Sequence, residues 1–103
     1  MSPRRLSRSE ASLQGRILRH LLRRPGCWAV KFPGVLQRGV PDILGAYRCR
    51  YFALEVKQPG QKPSRLQSAV LEQIRTTGAV AEVVTSVHQV KAILASVEEG
   101  TDE

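Results

Sequence analysis

The spacing of apolar residues changes period several times along the chain, and each change marks an element. Leu13, Ile17, Leu21 and Leu22 recur at helical spacing behind Ser7 and Glu10, an S-x-x-E capping pattern, so a first helix is expected over about residues 8–24, closed by Pro25 and Gly26. Trp28, Val30 and Phe32 then alternate with Cys27, Ala29 and Lys31, which predicts a strand over 27–32. Residues 41–47 and 50–57 are both apolar and near enough in sequence to pair as an antiparallel hairpin. The run 58–63, with two prolines and a glycine, ends that hairpin, and a second helix is expected from Ser64 to about Thr77, stopped by Gly78, with Leu66, Val70 and Ile74 toward the sheet. A fourth strand is expected over 79–84. Ser86 and Gln89 open a last helix that carries Val87, Val90, Leu94 and Val97. The order α-β-β-β-α-β-α implies an α/β fold with a mixed sheet: an antiparallel meander, then a helical crossover to a parallel strand.

The hairpin carries the least ordinary pattern. Glu55 and Lys57 flank Val56, so strand alternation turns both charged groups to one face while Phe52, Leu54 and Val56 pack on the other. A turn centred between Arg48 and Cys49 sets Asp42 opposite Glu55, with Cβ atoms about 4.5–5.5 Å apart. Arg48 and Cys49 lack the Gly or Asn that tight turns favour, and a four-residue loop over 47–50 keeps the same register without that demand. Two carboxylates so close repel unless a cation lies between them, and a divalent metal answers that need; the plainer alternative is a solvated hairpin edge.

Charge sharpens the picture. The chain has sixteen Lys and Arg against nine Asp and Glu, a net +7, and four of the acids fall in the last six residues, EEGTDE. Between Glu10 and Glu72 only Asp42 and Glu55 are acidic. A balance this basic points to a polyanion such as nucleic acid, where neutralised phosphates release counterions. At 103 residues and 42% apolar composition, one domain is expected over 1–97, with 98–103 a flexible acidic tail. Cys27 and Cys49 form no CxxC and have no His at ligand spacing, so neither zinc nor a disulfide framework is supported. Without an apolar run of membrane-spanning or signal-peptide length, a cytoplasmic location is expected. His88 reads as a surface residue.

Several polar residues admit two readings each. Glu10 either caps its own helix or places a carboxylate beside the Asp42–Glu55 pair. Gln67 is the partner of Ser64 in a second capping box, or an amide reaching toward the Lys57 end of the third strand. Arg16, with Arg19 and Arg23, forms a basic stripe on the first helix. Lys31, Arg38 in the glycine-containing loop over 33–39, and Lys62 complete the candidate phosphate contacts, each of which also reads as an ordinary exposed cation.

Gly39-Val40-Pro41-Asp42, then Glu55-Val56-Lys57, then Gln67 after a Pro-Gly loop, with Glu10 in a preceding helix, resembles the VRR-NUC (virus-type replication-repair nuclease) family of the PD-(D/E)xK nuclease superfamily. The likeness extends over about residues 10–97. It implies a metal-dependent DNA endonuclease in which Asp42, Glu55 and the Val56 carbonyl hold Mg²⁺ or Mn²⁺, Lys57 is catalytic, and Glu10 and Gln67 complete the site, Glu10 as ligand of a second metal if there is one. Hard oxygen donors of this kind suit Mg²⁺, which takes only one or two carboxylates and keeps several waters. Similarity to Holliday-junction resolvases further implies a homodimer acting on branched DNA. The alternatives are a non-catalytic basic DNA-binding module and a restriction-type endonuclease that cuts a defined sequence.

Overall fold

In the computed structural model, which describes residues 7–34 and 36–100, the elements follow the expected order. They are α1 (Arg8–Arg23), β1 (Cys27–Lys31), β2 (Ile43–Tyr47), β3 (Arg50–Val56), α2 (Arg65–Arg75), β4 (Val80–Val84) and α3 (Val87–Gly100). The four strands lie in the order β1-β2-β3-β4; β1, β2 and β3 are antiparallel neighbours, and β4 joins β3 in parallel after the α2 crossover. Among the described residues no helix is long and apolar enough to cross a membrane.

The sheet is covered differently on its two faces. One face carries Ala29, Ile43, Tyr47, Phe52, Leu54, Val56 and Val84, buried against Leu13, Ile17 and Leu21 of α1 and Val90, Leu94 and Val97 of α3. Gly45 belongs to this face because a Cβ there would overlap the Phe52 ring and the Trp28 carbonyl. Among the described residues the other face is covered by α2 alone, where Leu71 packs on Ala53 and Ala81 beside Leu44, Ile74 and Val83.

Two expectations change here, for α2 and for the end of α3, and two open points are settled, the buried face of β1 and the closure of the hairpin. Leu71, not Leu66, is the buried anchor of α2: Leu66 is half exposed, and it and Val70 crowd Gly39 instead. A Cβ at Gly39, whose φ is +82°, would come within 2.7 Å of Leu66 Cγ, so the loop can pass under the helix only as glycine. On β1 the small residue Ala29 faces the core, and the larger Trp28 and Val30 are the exposed ones. The hairpin closes through Arg48 and Cys49 alone, with Tyr47 paired to Arg50, and both turn residues take positive φ (49° and 63°) in place of a wider loop. Finally, α3 continues through Gly100, so the helix includes three residues expected in the tail; residues 101–103 lie outside the described residues.

The end of α3 is held by charge. Glu98 accepts hydrogen bonds from the Tyr47 hydroxyl and from Arg24 Nη2, the latter at 3.0 Å. The Arg24 and Arg48 guanidinium groups lie 5.8 and 5.7 Å from the Tyr47 ring centroid. The Tyr47 hydroxyl first, and then Arg24, hold the Glu98 carboxyl below its usual range; the same hydroxyl and Glu98 raise the Arg24 guanidinium.

Candidate active site

At the other end of the hairpin the strand register brings the acids together. Ile43 pairs with Leu54, so the next step outward sets Asp42 opposite Glu55. Asp42 lies between two strands: its carbonyl accepts the Phe32 amide at 2.8 Å, and its Oδ2 accepts the Val56 amide at 2.8 Å. The Lys57 amide, one residue on, donates to the Val84 carbonyl at 3.0 Å on the β4 side. In a trans peptide the C=O points opposite to the following N–H, so the Val56 carbonyl is turned away from β4, toward the Asp42 side.

Glu55 is 1% exposed and Lys57 6% exposed. Carboxylates and ammonium groups are rarely buried so completely unless they are paired, and removing each from water costs several kcal/mol. A solvated hairpin edge is therefore not what the fold builds. Alternation along β3 keeps Glu55 and Lys57 on the α2 face with Ala53. There the N-terminus of α2 meets them, because Gln67 Nε2 donates to Glu55 Oε1 at 3.3 Å. Both readings of Gln67 hold at once. Its Oε1 accepts the Ser64 amide at 2.8 Å and its own amide donates to Ser64 Oγ at 3.1 Å, closing the capping box, while the NH₂ end of the side chain holds Glu55.

Helix α1 supplies the opposite wall. Ser7 Oγ accepts the Glu10 amide at 3.1 Å, as the capping pattern predicts, and the Glu10 side chain is buried. One turn later Gln14, 2% exposed, was not anticipated from the sequence. Both polar atoms of its side chain are buried without a hydrogen-bond partner among the described residues. Gln14 lines a cleft of about 510 Å³ with Lys31, Arg38, Asp42 and Gln67. Of the basic residues named above, Lys31 and Arg38 thus border the cleft; Arg16 and Lys62 are exposed outside it.

Among the described residues no three His, Cys, Asp or Glu side chains gather as a metal-binding group, so Glu10 does not form a single cluster with Asp42 and Glu55. The donor set that remains is two carboxylates and a backbone carbonyl, all oxygen. That set fits a cation of the Mg²⁺ type, which takes one or two carboxylates and fills the rest of its shell with water. A buried amide with neither end bonded among the described residues, on the wall of the same cleft, is a group that such ordered water would satisfy.

No family sequence model matches the chain, and no curated protein matches it by sequence. Solved structures do. A "VRR_NUC domain" is 26% identical and superposes with a TM-score of 0.72, the match covering 86% of this chain and 97% of that one. A "VRR_NUC domain protein" at 13% identity covers 92% of this chain and 89% of that chain with a TM-score of 0.67, a likeness of fold alone. The element order, the meander with its parallel fourth strand, and a match over nearly all of a VRR-NUC domain converge: the chain is similar to VRR-NUC domains along most of its length and has their PD-(D/E)xK nuclease-like fold.

Proposed function

We propose that the chain is a Mg²⁺- or Mn²⁺-dependent deoxyribonuclease that hydrolyses phosphodiester bonds, acting in the cytoplasm on branched DNA as a homodimer. The observation that carries this reading is the burial of Glu55 and Lys57 on one face of β3 with Asp42 opposite, an arrangement expensive to stability and useful to catalysis. Asp42, Glu55 and the Val56 carbonyl would hold the ion. When bound, such a cation lowers the pKa of a coordinated water and offsets charge on the scissile phosphate.

The protein's own groups do the rest. Gln67 fixes one oxygen of Glu55, and the Val56 amide fixes one oxygen of Asp42, so the remaining oxygens are aimed before any ligand arrives. Lys57 offers an ammonium group on the same face, where it would stabilise the negative charge that grows on phosphorus as the nucleophile attacks. Gln14 lines the α1 side and, with Glu10 buried one turn before it on the same helix, would orient water. Lys31 and Arg38 border the cleft as contacts for the phosphates on either side of the reacting one. A two-fold pair of such sites would let a domain this small engage both strands of a junction.

The test compares a four-way junction with a plain duplex of matched sequence, each in Mg²⁺, Mn²⁺ and chelator. Cutting of the junction in metal, none in chelator, and loss of cutting with retained binding in Lys57→Ala are expected. DNA binding that is equal in chelator, with no cutting under any condition, would leave only a basic DNA-binding module.

A further inference from the structure

The α2 face of the sheet has a second cleft, of about 540 Å³, at the hairpin-turn end. It is within the range of small-molecule sites, roughly 300–1,000 Å³. Its walls include Trp28, 60% exposed, and Tyr51, 73% exposed, the two most exposed aromatic side chains of the sheet. They occupy one row across three strands: Trp28 pairs with Ala46 and Ala46 with Tyr51, so a small residue separates two rings. Two inter-strand steps place their backbones about 10 Å apart. A flat ring stacked between two others needs about 7 Å, twice the spacing of stacked bases.

The cleft is not isolated from the acids. Trp28, Val30 and Phe32 form an apolar strip along β1, and Phe32 borders the first cleft with its amide bonded to the Asp42 carbonyl. From Ala46 back to Asp42 is four residues, about 14 Å of strand, or about four stacked nucleotides. Charge selects the occupant. The residues bordering the two clefts include Lys31, Arg38 and Arg50 against one acid, Asp42. A second copy of the chain would bring the same +7 to this face, whereas a nucleic-acid strand brings the opposite sign and π-faces that stack on any aromatic ring.

We propose that the cleft between Trp28 and Tyr51 takes an unpaired nucleobase of the DNA strand whose phosphates pass Lys31 on the way to Asp42 and Glu55, an inference that rests on the nuclease reading above. The site thereby favours substrates with an unstacked base about four nucleotides from the reacting phosphate, and disfavours continuous duplex.

Trp28 is the single tryptophan of the chain, so its emission reports on this cleft directly. In chelator, an unpaired oligonucleotide carrying a fluorescent end label is titrated while Trp28 emission and label anisotropy are both followed. Emission is expected to fall with the same midpoint as the anisotropy rise, and to fall less with an oligonucleotide of abasic sites or with a duplex. Trp28→Ala should weaken binding of the unpaired strand about tenfold, and Trp28→Phe should restore most of it, since a ring still stacks. Thermal melts of both variants control for folding. Unchanged emission at saturating DNA, emission that follows protein concentration in the absence of DNA, or Trp28→Phe as weak as Trp28→Ala would each overturn the proposal. Metal-dependent cutting is measured alongside: cutting without quenching removes the stacking site alone, and quenching without cutting removes the nuclease reading while base binding stands.

Discussion

The β2–β3 hairpin ends in two charged clusters that solve opposite problems. At the turn, Glu98 accepts from the Tyr47 hydroxyl and from Arg24, and the Arg24 and Arg48 guanidinium groups lie over the Tyr47 ring. That carboxylate remains partly in solvent, its side chain 36% exposed, and its charge is met by Arg24, the C-cap of α1. At the open end Glu55 is far more deeply buried, and two of the donors there are neutral: the Gln67 amide on an oxygen of Glu55 and the Val56 backbone amide on an oxygen of Asp42. A neutral donor aims a carboxylate oxygen without cancelling its charge. The first cluster is therefore a tie between α1, β2 and α3, and the second is the set that, on the proposed function, would hold a cation.

The largest effect that would break this contrast comes from neutralising one acid at each end. Glu55→Gln keeps the size of the side chain but removes its charge. Metal-dependent cutting is expected to fall about a thousandfold or more, with a melting temperature equal to or above that of the parent, because a buried charge is relieved. Glu98→Gln should do the reverse, lowering the melting temperature and leaving cutting intact. Should both variants melt lower and cut normally, the open end is only a second tie.

How much of this was legible depends on how local the determining physics is. The hairpin register was, since a period of two and a short connection leave few ways to pair 41–47 with 50–57, and the register alone sets Asp42 opposite Glu55. Both roles of Gln67 could also be read, because the capping box and the reach toward β3 follow from its place at the third position of α2. The turn was harder. Left-handed backbone costs about 1–2 kcal/mol for a non-glycine residue, and Arg48 and Cys49 accept it because strand pairing and the Tyr47 cluster outweigh local preference. The exposure of Trp28 could not be read at all: alternation says which residues share a face, not which face a helix covers.

Gln14 lies between these cases and gives the middle-sized test. Glu10, Gln14, Ile17 and Leu21 follow one another at the spacing of a buried helical stripe, a signal hidden because two of the four are polar. If the amide serves ordered water in the first cleft, Gln14→Leu should raise stability by about 1–3 kcal/mol, as an unsatisfied buried group is removed, and reduce cutting about tenfold. A chemical melt and a single-turnover assay read the two effects separately. Gained stability with unaltered cutting would confine the polar wall of the cleft to Asp42 and Gln67, and the contrast between the two ends would rest on those residues alone.

The smallest effect sharpens the contrast through pH. His20, whose Nε2 is buried without a hydrogen-bond partner among the described residues, is held below its ordinary value of 6.5 by burial first, then by the charges of Lys91, Arg24 and Arg23. Below that value the unfolded chain binds the proton more readily, so stability declines as pH drops from about 6.5. Glu98 acts in a lower window. Its carboxyl is held below 4.5 by the Tyr47 hydroxyl and then Arg24, so its contribution is complete above 4.5 and is lost as pH falls through the depressed value. Melting temperatures measured across this range should show two separable slopes, the upper flattened by His20→Leu and the lower by Glu98→Gln. Because both groups belong to the region that joins α1, the turn and α3, neither substitution should move the pH profile of cutting. A shift of that profile by either variant would mean that the two ends of the hairpin are energetically coupled, and the division between tie and reaction site would have to be redrawn.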